Sequence, residues 1–174
     1  MKKIIILFLV ILIPLMTNAE TIKAGISLDS IPKNLYGSWR IQAKLEQTNA
    51  PRRFRPQSLD FWNLSRIDDI IELDNPMSGA SAKLSIDAVE DNVIVFTKKS
   101  TYDDNKILTD TVNIRLSGNK FSGINVLKLE HFSLVDNHLI KTETATYHIN
   151  GEKIAGESIF AEKTATEPLD NTSF

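Results

Sequence analysis

The chain contains no cysteine. No disulfide can staple it, no cysteine can carry a lipid anchor, and neither a thiolate metal site nor a thiol nucleophile is available. Long apolar runs are equally scarce: after the first nineteen residues no stretch approaches the roughly 20 apolar residues that a membrane-spanning helix needs. Positive charge is not in excess either. The 20 Lys and Arg stand against 22 Asp and Glu, for a formal net charge of −2, which argues against a general nucleic-acid binder. There is no internal repeat, no low-complexity linker, and no helical period long enough to serve as a crossover between parallel strands.

The start of the chain has the marks of an export signal. Met1, Lys2 and Lys3 form a basic start through the two lysines, Ile4 to Met16 are apolar apart from Pro14, and Thr17-Asn18-Ala19 are small residues ahead of Glu20. Cleavage is expected after Ala19, which makes residues 1–19 a signal peptide and the rest a periplasmic or secreted protein with no transmembrane helix. Without Lys2 and Lys3 the balance becomes 18 basic against 22 acidic side chains, a net charge of −4. The remaining length suits one domain, which must hold together by packing and sheet hydrogen bonds alone.

A leader covers residues 20–35, and the pattern then changes to period two. Trp39, Ile41, Ala43 and Leu45 alternate with Arg40, Gln42, Lys44 and Glu46, as in a half-buried strand. Further strands are predicted at Leu59 to Ser65, Ile70 to Leu73, Ala82 to Ala88, Val93 to Phe96, Lys106 to Leu116, Phe121 to Phe132 and His138 to Ile149. In the sixth, Leu108, Val112, Ile114 and Leu116 share a face on which Asp110 is the exception. Short polar links rich in Asn, Asp and Gly join most of these segments, and Asn150-Gly151 is read as the end of the last one. Eight antiparallel strands, three of them long, predict an all-β fold: an up-and-down β-barrel over residues 36–151 in which closure removes exposed edges. The tail, residues 152–174, is expected to dock in part through Ala155, Ile159, Phe160 and Ala161 and to fray from Pro168. A terminal Phe174 is also found in outer-membrane barrels, but Pro168, Asp170 and Thr172 break the alternation their last strand requires.

The stretch Ile31-Pro32-Lys33-Asn34-Leu35-Tyr36-Gly37-Ser38-Trp39 resembles the corner at which a lipocalin, or a related calycin barrel, begins its first strand with Gly-x-Trp. Thr109-Asp110 is similar to the start of the second lipocalin motif, although Thr111, Val112 and Asn113 lack its aromatic and no arginine follows the last strand to stack on the tryptophan. The resemblance implies structural roles for Gly37 and Trp39: glycine for the tight bend into the strand, tryptophan as a plug for the closed end. It also implies a small apolar or amphipathic ligand inside the barrel.

Catalytic and metal chemistry find little support in the residues. The histidines, His131, His138 and His148, have no regularly spaced partners for a metal, and no Gly-x-Ser-x-Gly marks a serine nucleophile. The pairs Asp68-Asp69 and Asp103-Asp104 fall where turns are expected and lack the spacing of an EF-hand loop. We therefore read a binding protein without cofactor or metal rather than an enzyme. Its most distinctive polar segment is Pro51-Arg52-Arg53-Phe54-Arg55-Pro56, in the long link where a lipocalin-like barrel would carry its lid. Arg52, Arg53 and Arg55 suit a carboxylate or phosphate headgroup, because guanidinium donates paired hydrogen bonds to oxyanions, and Phe54 completes the candidate ligand site. The alternative expectation is a filled barrel that docks on an envelope protein through Trp62 and Phe54 as exposed anchors. A second aspect of the barrel expectation is that Trp39 is buried and Trp62 more accessible.

Overall fold

The alternation of apolar and polar residues folds into eight strands: β1 (Gly37–Thr48), β2 (Gln57–Ile67), β3 (Ile70–Asn75), β4 (Ala80–Glu90), β5 (Val93–Asp103), β6 (Lys106–Ser117), β7 (Lys120–Phe132) and β8 (Leu139–Ala155). The computed structural model describes residues 26–156; the expected signal peptide, the first part of the leader and the tail from residue 157 lie outside them. Each strand pairs antiparallel with the next, and β8 returns to pair with β1, closing the barrel. The all-β antiparallel barrel expected from the sequence is thus the fold observed.

Period two sends one row of side chains from every strand to the inside. Trp39, Trp62, Phe96 and Phe121, with Ile41, Ile86, Ile94, Ile114 and Ile149, form one continuous buried core. Trp39 is fully buried at the closed end, where its indole Nε1 donates to the Leu35 carbonyl oxygen at 2.8 Å. Leu35 belongs to the second of two short 3-10 turns, Leu28–Ser30 and Lys33–Leu35, which pack Leu28, Ile31 and Leu35 beneath the barrel. The Phe121 ring lies 5.0 Å from that of Trp39, and the Lys153 ammonium sits 5.5 Å from the indole centroid. A lysine within the last strand therefore supplies the cation over the tryptophan where no arginine follows. Gly37 has φ +123°, and a Cβ there would meet the Gly156 carbonyl oxygen at 1.9 Å, so both its backbone angle and its surroundings require glycine.

Two expectations need correction. The last strand does not stop at Asn150-Gly151 but runs to Ala155, which makes residues 152–155 part of the barrel rather than of the tail. Gly151 looks like a turn residue in the sequence, but its missing side chain serves packing: a Cβ would lie 2.2 Å from the Phe121 ring. Trp62 is buried as well, at 8 % exposure, with its ring stacked 6.0 Å from Phe121 and edge-on to Phe96 at 6.2 Å. It belongs to the core and is no surface anchor.

Replacing the plug should be costly. Trp39→Ala is expected to destabilise the barrel by about 3–5 kcal/mol, read as a lowered midpoint in urea unfolding, because the closed end cannot collapse into the space.

Candidate functional site

Above the Trp62–Phe96 layer the core gives way to a cavity of about 350 Å³. Its apolar wall includes Ile41, Leu73, Val112 and Ile149, and it reaches the β3–β4 turn at Ser78. Strand register fixes what else faces it. Asp60 on β2 lies opposite Ile41, Lys98 on β5 opposite Asp110 on β6, and Val112 opposite Asn125 on β7, so all of these share the inner face.

The polar wall is organised around two carboxylates. Asp60 accepts hydrogen bonds from the Trp62 indole Nε1 at 3.0 Å, from its neighbour's backbone at Phe61 at 2.9 Å, and from the Asn75 side-chain amide. Asp110 accepts a hydrogen bond from the Asn125 amide and stands 3.7 Å from the Lys98 ammonium. Burial pushes the Asp110 carboxyl up from the ordinary aspartate range; Lys98 and the Asn125 hydrogen bond oppose this, and the charge of Asp60 adds to it. Asn125 is itself buried. One signal for this wall is visible in the sequence, Asp110 on an otherwise apolar face; Asp60, Lys98 and Asn125 carry none, because single polar residues in strands do not show which face they occupy.

The arginine segment sits elsewhere. The link between β1 and β2 folds back onto β8: Asn49 Nδ2 donates to Thr142 O at 3.1 Å, Thr144 N donates to Asn49 Oδ1 at 2.8 Å, and the Tyr147 hydroxyl donates to Arg55 O at 3.0 Å. Phe54 is buried against the core, which overturns its expected role as an exposed anchor and makes it the residue that seats the lid. Arg53 forms an ion pair with Glu143 through Nε at 2.6 Å, and the same carboxylate meets Lys141 at 2.6 Å and His131 Nε2 at 2.9 Å. Arg52 and Arg53, with Tyr102 and Lys141, line a separate hollow on the rim, whereas Arg55 holds the lid through its backbone. None of Arg52, Arg53, Phe54 or Arg55 lines the interior cavity. The four expected site residues are therefore brought together as a strap across the rim.

Two of the three histidines form ion pairs: His131 joins the Glu143 cluster and His138 pairs with Asp136 at the β7–β8 turn, while His148 lies within β8. Among the described residues no group of three or more His, Asp or Glu is arranged to hold a metal ion.

No family model and no curated protein matches the chain. Among solved structures, one described as EF1p2_mFAP2b bound to DFHBI is similar over 73 % of this chain and 99 % of that one, with 9 % sequence identity and a TM-score of 0.31. At that level the likeness adds nothing to the barrel geometry described above.

Two outcomes check this geometry. Hydrogen bonds from Lys141 and His131, together with the Arg53 charge, hold the Glu143 carboxyl down to about 2 against desolvation. Its folded-state pKa is below the unfolded one, so the strap should be fully held above about pH 4.5 and released as pH falls toward 2. The protection of the Arg53 and Phe54 amides, both bonded to Ala50 O, measured as hydrogen exchange relative to the intrinsic rate at each pH, should fall over that window, and Glu143→Gln should lower it at neutral pH. Asp110 has the opposite sign. Its raised pKa makes the ionised form a cost that grows as pH rises above the usual aspartate range, so Asp110→Asn should raise the urea midpoint relative to the parent more at pH 8 than at pH 4.

Proposed function

We propose that this chain is an exported, lipocalin-like carrier that holds one small amphipathic ligand inside its barrel. The observation that carries the reading is the 350 Å³ cavity, which lies at the lower end of the ~300–1,000 Å³ typical of small-molecule sites. An eight-stranded barrel is just wide enough to be filled by its own side chains or to hold one small ligand. This one places small residues, Ala43, Ser58, Ala80, Ala82 and Ser100, where larger ones would have filled the space. The combination of an aromatic floor and a few convergent polar groups is the usual make-up of a binding pocket. The strap from Asn49 to Pro56 supports a role at the rim, where Arg52 and Arg53 would meet the ligand on its way in or a headgroup left outside.

Export rests on the basic, apolar and small-residue order of residues 1–19. The signal is tested by expressing the full chain in a bacterial host and sequencing the N-terminus of the envelope fraction, where Glu20 is the expected first residue.

A second reading, an interaction module of the envelope, draws on the β7–β8 turn. Leu134 and Val135 are 78 % and 96 % exposed, and Leu139 and Ile140 follow on the same hairpin. These apolar tips, and not Trp62 or Phe54, would be its anchors.

Ala82 on β4 faces the cavity in register with Leu73. Ala82→Phe should occupy the space and weaken uptake of an environment-sensitive apolar dye at least tenfold, while Leu134→Ser with Val135→Ser leaves uptake unchanged. Dye binding that survives Ala82→Phe and is lost with the hairpin double substitution would favour the second reading.

A further inference from the structure

The cavity's charges do not balance. The ionisable side chains that line it are Asp60, Asp110, Lys98 and Tyr147, and the tyrosine hydroxyl is committed to the Arg55 carbonyl. Two carboxylates thus face one ammonium. Lys98 pairs with Asp110 at 3.7 Å, whereas the partners described for Asp60 are neutral donors: the indole of Trp62, the amide of Asn75 and the backbone of Phe61. Those donors orient the Asp60 carboxylate without neutralising it. A carboxylate in a partly apolar enclosure is expensive unless a cation or several donors meet it. Three neutral donors meet Asp60 and leave the carboxylate, with no cation described beside it, on the wall of a space large enough for a ligand.

The position of Asp60 adds a second feature. Its Oδ2 accepts from the Trp62 indole edge, so the carboxylate and the aromatic ring border the same part of the cavity, with Phe96 packed edge-on against that ring. A cation paired with Asp60 would have the Trp62–Phe96 layer next to it, an apolar surface for the organic body that carries the charge. An anionic headgroup inside would instead face two carboxylates with only Lys98 to offset them.

We propose that the interior ligand is an organic cation: a protonated amine on a compact apolar or aromatic body, with its ammonium between Asp60 and Asp110 and its body against Trp62, Phe96 and Val112. This inference rests on the carrier reading and sharpens it, because it assigns the charged end of the ligand to the inside of the barrel and not to the arginine strap.

Isothermal titration at pH 7 with three probes that share a phenyl body tests it: 2-phenylethylamine, 2-phenylethanol and 3-phenylpropionate. The amine is expected to bind at least tenfold more tightly than the alcohol, and the carboxylate not to bind measurably. In Asp60→Asn and in Asp110→Asn the amine-to-alcohol affinity ratio should collapse toward one, whereas Lys98→Met should raise it. Asn keeps the shape of Asp, and circular dichroism of each variant verifies that the barrel is intact. Alcohol or carboxylate binding as tight as the amine's would overturn the cation assignment and leave the carrier reading standing. Failure of all three probes to bind the parent protein at millimolar concentration would overturn both.

Discussion

Everything in this molecule depends on the pairing of β1 with β8. That ladder runs from Ser38 against Ala155 to Thr48 against Ala145 and turns a meander of neighbouring hairpins into a closed surface with an inside. Closure without cysteine has to be held by backbone hydrogen bonds and by what the inside contains. Two glycines make it sterically feasible at the closed end. Gly37 lets the chain turn into β1 against the backbone of residues 155 and 156, and Gly151 leaves room for the Phe121 ring that packs on Trp39 and Trp62.

Once closed, the barrel has two unlike halves. The lower half is filled by aromatic and branched side chains and capped by the 3-10 turns through the bond from Trp39 to Leu35. The upper half sets small and polar residues among branched apolar ones and stays open. The difference has an energetic meaning: the lower half supplies hydrophobic burial, while the upper half gives up burial and keeps Asp110 in an environment that disfavours its charge. Native barrels tolerate such a cost where it serves a site, which is why the cavity rather than the plug is the place to look for function. The rim is held separately. Glu143 gathers Arg53, Lys141 and His131 around one buried carboxylate and so ties the strap to β8 without entering the cavity.

Period-two alternation made the fold legible: strand order, antiparallel pairing and the inward face of Trp39 to Leu45 all follow from it. Boundaries were harder, because Gly151 has the composition of a turn and the role of a packing void. Side-chain burial outside regular alternation was not legible. Phe54 lies between arginines, and nothing local shows that it folds back into the core; Trp62 sits beside Phe61, and only the pairing with Trp39 decides which of the two points inward. For the same reason Asp60, Lys98 and Asp110 do not read as one wall in the sequence: they come together only when strands far apart in the chain are rolled into one cylinder. Asp110 was the visible trace of that wall, a single charge on an apolar face.

The most direct test of the central claim is native mass spectrometry of the protein recovered from its own host, followed by release and identification of any bound small molecule. The account predicts one molecule per chain, basic and partly apolar, that is lost from the Ala82→Phe variant. A barrel recovered empty from its host, or one loaded with an acidic molecule that survives in Ala82→Phe, would contradict it.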